Sequence, residues 1–362
     1  MPSLRVAFVL PDLGAGGAQR VMLTLARTLD PARFSVHIVI IGRANDFAAE
    51  IPPNATVEKL DANGMGKSLP RLIKTLRRIN PKIVVSTMGY VNLSLLAARP
   101  LLGRDTKLVV REANVVQATL RAMPRWFPGG RLYAWFYPRA AAIIAQTNDI
   151  AREIAKAAPG SSERIVVIPN PVNQEQHRAR AATPVRSRGK GLVLVTAGRL
   201  TRQKGFDRLI TLMPQLPDAR LTIFGEGPDR GALEQQVSAL GMQDRVSLPG
   251  FSTGLAAAIA GADVFVLPSR WEGLPNVALE SLALGTPVVA SEEAGLEDLA
   301  TAAAGAVTIA PVDSSFVDAI KRHRPAAQTI ASPRPSLLPS DYRAEVVAAR
   351  FNDLLARIAS AT

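Results

Sequence analysis

Two carboxylates, Glu272 and Glu280, bracket the stretch Gly273-Leu274-Pro275-Asn276, in which Gly273, Leu274 and Asn276 offer backbone amides. Carboxylates accept hydrogen bonds from sugar hydroxyls, and amides at a helix entrance bind phosphate. One short segment can therefore serve both halves of a ligand that carries sugar and phosphate. Earlier in the chain, the run Thr196-Ala197-Gly198-Arg199-Leu200-Thr201-Arg202-Gln203-Lys204-Gly205-Phe206 supplies Arg199, a forked donor, and Lys204, a compact charge. Taken singly, the acids read equally well as solvated helical residues and the cations as a solvated pair at a helix start. Near the other end of the chain, Gly16, Gly17 and Gln19 lie in a glycine-rich loop, and Arg111, Glu112 and Asn114 follow the apolar run Leu108-Val109-Val110.

These residues need elements to hold them. Asp263 to Leu267 reads as a buried strand running into the Glu272 loop, with a helix from Ala278 to Leu284 behind it. Leu192 to Ala197 reads as another strand, ended by the Gly198 turn. In the first half, Leu4 to Leu10 reads as a strand followed by Gly14, Gly16 and Gly17, which miss the dinucleotide-binding spacing. Strand and helix patterns alternate throughout. They predict an α/β chain of two Rossmann-like domains with parallel sheets, spanning 1–172 and 191–340, with a linker over 173–190 and a C-terminal helix within 341–362.

With those residues in order, the chain resembles glycosyltransferase family 4. Its marks are the Gly198-Arg199-Leu200…Lys204-Gly205 turn and the acids Glu272 and Glu280 spaced as E-x(7)-E after a strand ending Pro268-Ser269. Gly225-Glu226-Gly227-Pro228, Gly250-Phe251 and Gly17-Ala18-Gln19-Arg20 fall where that family has its other turns. The resemblance implies a GT-B architecture, with a cleft between the domains and the last helix crossing back to the N-terminal one. It implies a retaining, metal-independent transfer from a UDP- or GDP-sugar, with no other cofactor. Arg199 and Lys204 would face the diphosphate, Glu272 the donor sugar, Glu280 the ribose, Gly250 and Phe251 the base, and Gly16 and Gly17 the donor phosphates. Gly198 and the run Gly273-Leu274-Pro275-Asn276 complete the implied donor site. Gln19, Arg111, Glu112 and Asn114 would stand on the acceptor side. Ala113 departs from a related S-E-R-N pattern, which leaves two readings of Glu112: it orients or deprotonates the acceptor, or it pairs with Arg111 for stability.

Composition narrows the classes. The chain has 362 residues and no cysteine, and its three histidines are scattered, so thiolate and histidine metal sites are not expected. Residues 1–180 hold 25 Lys and Arg against 12 Asp and Glu, whereas residues 181–362 hold 18 of each. The whole excess of +13 lies in the first half. That half calls for an anionic partner. Nucleic acid lacks a supporting motif, whereas an anionic membrane surface fits the aromatic and basic segment Arg121 to Arg139 and the basic face Lys67, Arg71, Lys74, Arg77 and Arg78. The plain alternative is core aromatics under arginine caps. No membrane span or signal peptide is read in the sequence, so the expected place is the cytoplasmic face of the membrane and the expected acceptor a lipid-linked or envelope glycan. A nucleotide-sugar epimerase and a non-catalytic nucleotide-sugar-binding protein are the other functions considered.

Overall fold

The structure, a computed structural model, describes residues 3–14, 16–43, 48–62, 64–123, 128–181, 191–324 and 334–361. It divides into two units, Met1–Pro171 with Glu345–Thr362, and Val172–Ala344.

The first unit is built on seven strands: β1 Leu4–Leu10, β2 Phe34–Ile40, β3 Thr56–Lys59, β4 Ile83–Thr87, β5 Lys107–Arg111, β6 Ala142–Ala145 and β7 Ile165–Val167. Their order is β3-β2-β1-β4-β5-β6-β7, and all pairs are parallel. Strand residues such as Val84, Val85, Val109 and Val110 are fully buried, because helices cover both faces of the sheet. One face packs on the helices Met65–Ile79, Gly89–Ala97, Gly129–Phe136 and Asn148–Ala157. The other packs on Gly17–Arg27 and on the C-terminal helix Ala344–Ser360. That last helix buries Val347, Phe351, Leu354, Leu355 and Ile358, an apolar stripe of helical period, with Phe351 against Phe8.

The second unit has β8 Leu192–Ala197, β9 Ala219–Phe224, β10 Val246–Gly250, β11 Val264–Leu267, β12 Val288–Ser291 and β13 Val307–Ala310. Their order is β10-β9-β8-β11-β12-β13, again all parallel. Both sheets reverse direction of winding next to their first strand, between β1 and β4 and between β8 and β11. In such sheets the crevice at the carboxyl ends of those two strands is the binding place.

Two features differ from the sequence expectation. Strand β3 was not expected; its Thr56-Val57-Glu58-Lys59 is short, polar and at the sheet edge, where no apolar alternation is required. The stretch expected as a linker from 173 begins with a helix, Gln174–Arg180, whose first turn is capped by the Asn173 side chain. Residues 182–190, the rest of that linker, lie outside the described residues. The proline-rich segment before the last helix contributes Arg334, whose guanidinium donates to the carbonyls of Ala260 and Ala262 at 2.9 Å.

Candidate active site

In the second unit the two sequence motifs meet because β8 and β11 are neighbours. Val264 and Phe265 pair with Leu194 and Val195, so the turn after β8 and the loop after β11 leave the same edge side by side. Nζ of Lys204 donates to Oε1 of Glu272 at 2.6 Å, and Ser269 Oγ donates to the same oxygen at 2.7 Å. Among the described residues the other oxygen, Oε2, has only a long contact from Gln203 Nε2 at 3.5 Å. Gln203 also binds the Trp271 carbonyl at 3.0 Å, and the Arg270 amide donates to the Gln203 carbonyl at 2.7 Å. Neighbouring backbones come very close here. Gly205 has φ +66°, and a Cβ on it would stand 2.1 Å from the Pro268 carbonyl oxygen. Gly227 is required for a similar reason, since its Cβ would lie 2.3 Å from the Leu200 carbonyl oxygen.

The other residues implied for the donor side belong to the same unit. Arg199 is exposed, and its guanidinium makes no hydrogen bond or ion pair among the described residues. Gly273, Leu274 and Pro275 are buried as they lead into the helix Asn276–Ala283. Glu280 lies on that helix, with His177 Nε2 3.9 Å from its Oε1. Gly250 ends β10 with φ +82°, and Phe251 beyond it is 71% exposed. His177 was missed by sequence reasoning, and only the unexpected helix Gln174–Arg180 brings it to Glu280.

The first unit brings together its own set. After β1, Asp12 organises the glycine loop: its Oδ1 accepts from the Gly14 amide at 2.9 Å and from Gln19 Nε2 at 3.1 Å. Gly16 then caps the helix that begins at Gly17. Asp12 was not singled out from the sequence, although an Asp two residues before a glycine is a turn signal.

At the end of β5, Arg111 and Glu112 do not form an ion pair with each other. Adjacent strand residues point to opposite faces. Arg111 bonds Asn170 Oδ1, while the Glu112 carboxyl accepts from the Tyr137 hydroxyl, from Tyr133 at 3.3 Å and from Asn92 Nδ2 at 3.4 Å. Both side chains are buried. Burial pushes the Glu112 carboxyl up to about 7, against the hydrogen bonds of Asn92 and Tyr133 and the charge of Arg111. Burial likewise lowers Arg111 to about 10. Gly89 leaves room for this cluster, as a Cβ there would meet the Tyr133 hydroxyl at 2.3 Å. Asn114 is half-buried and its Oδ1 accepts from the Val115 amide at 2.9 Å.

The aromatic segment divides accordingly. Tyr133 and Tyr137 are core residues, stacked 4.4 Å apart and directed at Glu112, and are not available to an interface. Trp135 is 66% exposed, with Phe136 beside it and the Arg139 guanidinium 5.7 Å from its ring. Residues 124–127, which include Arg125 and Trp126, lie outside the described residues. On the helix Met65–Ile79, Lys67, Arg71, Lys74, Arg77 and Arg78 are all exposed, and among the described residues Arg78 alone of them pairs, with Glu58 at 2.9 Å. Among the described residues no helix is long and apolar enough to cross a membrane.

Two Rossmann-like units with ligand-side residues at their carboxyl edges define a GT-B fold, and solved structures agree. HepE from Anabaena, solved in complex with UDP, superposes with a TM-score of 0.76 at 17% identity, covering 98% of this chain and 100% of that one. WaaG, a glycosyltransferase involved in lipopolysaccharide biosynthesis, gives 0.65 at 18% identity over 96% and 95%. The chain matches the description Glycosyltransferase Family 4 over residues 15–176 and Glycosyl transferases group 1 over residues 178–323. It belongs to the family 4 glycosyltransferases. Among curated relatives, the lipopolysaccharide core biosynthesis glycosyltransferase LpsD of Rhizobium meliloti is 32% identical over 44% of this chain. The match spans 46% of that relative, about half its length. The N-acetylgalactosamine-N,N'-diacetylbacillosaminyl-diphospho-undecaprenol 4-alpha-N-acetylgalactosaminyltransferase of Campylobacter jejuni is 24% identical over 80% of both chains.

Proposed function

We propose that this chain is a retaining hexosyltransferase that moves a sugar from a nucleoside diphosphate to an acceptor hydroxyl without a metal ion. The Lys204–Glu272 pair at the β8–β11 reversal carries this reading. Departure of the diphosphate builds negative charge on its oxygens, and fixed cations aimed there are the main stabilisers of such a step. Lys204 and the unpaired Arg199 supply that charge. Glu272 fixes the Lys204 ammonium through Oε1, and its less engaged Oε2 is the oxygen left for a donor hydroxyl. Glu280 takes the ribose and Phe251 the base. Gln19, Arg111 and Asn114 stand on the acceptor side. The leaving phosphate can take the acceptor proton on the same face, so Glu112, enclosed by two tyrosines and Asn92, need only hold the end of β5.

UDP-glucose, UDP-galactose, UDP-N-acetylglucosamine and GDP-mannose form the test panel. One of them should raise the melting temperature, since a ligand at 100 times its Kd adds about 2.7 kcal/mol of stability. The same sugar nucleotide should release nucleoside diphosphate, and release should persist in excess chelator. No stabilisation by any of the four would remove the reading; stabilisation without release would favour a binding protein. Release restored only by magnesium or manganese would place a metal in the mechanism.

A lipid-linked or envelope glycan is the acceptor we favour, in view of the relatives' names and the basic first unit. The exposed cations of the helix Met65–Ile79, with Arg131, Arg139 and Trp135, would rest on the inner face of an anionic membrane. Each exposed basic residue is worth on the order of 1 kcal/mol there. Flotation on vesicles should require acidic lipid, weaken with salt, and fall when Arg71, Lys74 and Arg131 are changed to Glu. Equal flotation on neutral and acidic vesicles would refute the contact.

A further inference from the structure

The Lys204–Glu272 pair is built from two separate loops, so something must hold those loops in register. Arg270 does this in a way that the transferase motifs do not explain. Its Nη1 donates to the Arg202 carbonyl at 2.8 Å and to Asp207 Oδ1 at 2.8 Å, and its Nη2 donates to Asp207 Oδ2 at 2.6 Å. One guanidinium therefore spans the turn that carries Lys204, from Arg202 on one side to Asp207 on the other. From the same residue the backbone amide reaches Gln203. The bidentate fork is the geometry that Arg makes and Lys cannot. The hydrogen bond from Arg270 holds the Asp207 carboxyl below the usual carboxylate range, in keeping with a charged pair.

We propose that Asp207 and Arg270 are positioning residues that set the Lys204–Glu272 contact, and through it the charge presented to the leaving group. Their effect on turnover rests on the transferase reading; their effect on Lys204 does not. Among the described residues the hydrogen bonds of Asp207 and Arg270 go to the Lys204 turn and its helix and not to Glu280 or Phe251, so donor affinity need not follow turnover. A second ion pair on the same helix provides the control. Arg208 Nη2 binds Glu293 Oε1 at 3.1 Å, tying the helix Phe206–Leu212 to the turn after β12; Glu293→Gln keeps the Arg270–Asp207 fork, and the Glu293 charge acts on Arg270 less than that of Asp207 does.

The full chain is compared with its Asp207→Ala, Arg270→Ala, Asp207→Ala/Arg270→Ala and Glu293→Gln variants, with Asp207→Asn and Arg270→Lys as milder versions that keep size and polarity. Labelling by an amine-reactive reagent, read by mass spectrometry, should show Lys204 more reactive in the Asp207 and Arg270 variants and unchanged in Glu293→Gln. Unchanged Lys204 labelling in all Asp207 and Arg270 variants overturns the proposal. With the sugar nucleotide identified from the panel, turnover should fall by at least about 10-fold while its KM moves by less than about 3-fold, because the contact removed acts on the transition state. The double variant should be no slower than the slower single, the mark of one shared interaction. Additive losses, or equal loss in Glu293→Gln, would mean general loosening and overturn the proposal. If the wild-type chain releases diphosphate from none of the four donors, the transferase reading fails while Lys204 labelling still decides the clamp.

Discussion

Lys204→Ala and Glu272→Ala are each expected to lower turnover of the donor by about 100-fold or more, the scale for losing a preorganised charge partner. The two residues form one device. Lys204 is 18% and Glu272 7% exposed at the side chain, so the ion pair is shielded from solvent. Removing Lys204 leaves a buried carboxylate with only Ser269 and a long Gln203 contact; removing Glu272 frees the ammonium from its fixed place. Breaking a buried pair in this way costs about 3–5 kcal/mol of stability in general, so melting temperatures must be read beside the rates. Glu272→Gln separates the effects, since it keeps the shape of the side chain and loses the charge. Glu280→Ala differs in kind, because among the described residues Lys204 pairs with Glu272 while Glu280 lies on the helix Asn276–Ala283 beside His177, and its loss is expected to weaken donor binding with a smaller change in turnover. Normal rates in both Lys204→Ala and Glu272→Ala would sink the site assignment.

Much of this site was legible because its parts lie in short, continuous motifs. Gly198 to Gly205 leads from the end of β8 to the helix Phe206–Leu212, and Ser269 to Glu280 runs from just past β11 into the helix Asn276–Ala283, so local pattern fixed both the element and the direction of its edge. Parallel alternation then required the two loops to share that edge; only adjacency of β8 and β11 remained to be seen. What escaped reading depends on contacts distant in sequence. Asp207 looks like an ordinary acid in the first turn of a helix, and its tie to Arg270 arises only when the loops meet. Tyr133 and Tyr137 lie in a segment whose composition suits an interface, yet their hydroxyls turn inward to the Glu112 carboxyl just past the end of β5. Glu112 itself illustrates the limit. Its neighbour Arg111 is the obvious partner along the chain, while strand geometry sends the two side chains to different surroundings.

Glu112 is also expected to make the first unit less stable as pH rises. Its carboxyl is buried among Tyr133, Tyr137 and Asn92, and burial raises it from 4.5 to about 7. For an acid whose folded value is raised, the protonated form is the one the fold prefers. The contribution is therefore complete below the unfolded value and is lost as pH climbs toward the folded one. The window is set by those two values, and the change across it is on the order of 3 kcal/mol. Glu112→Gln mimics the neutral form, because an amide can still accept from the tyrosine hydroxyls without bearing charge. The unfolding free energy of wild type relative to Glu112→Gln should thus decline between about pH 5 and pH 7 and level off on either side. Urea unfolding at a series of pH values measures it. A Trp271→Phe background leaves the tryptophan signal to the first unit, which holds Trp126 and Trp135. Parallel stability curves for the two proteins across that range would show that Glu112 is already ionised in the fold, held by Arg111 more strongly than burial opposes it.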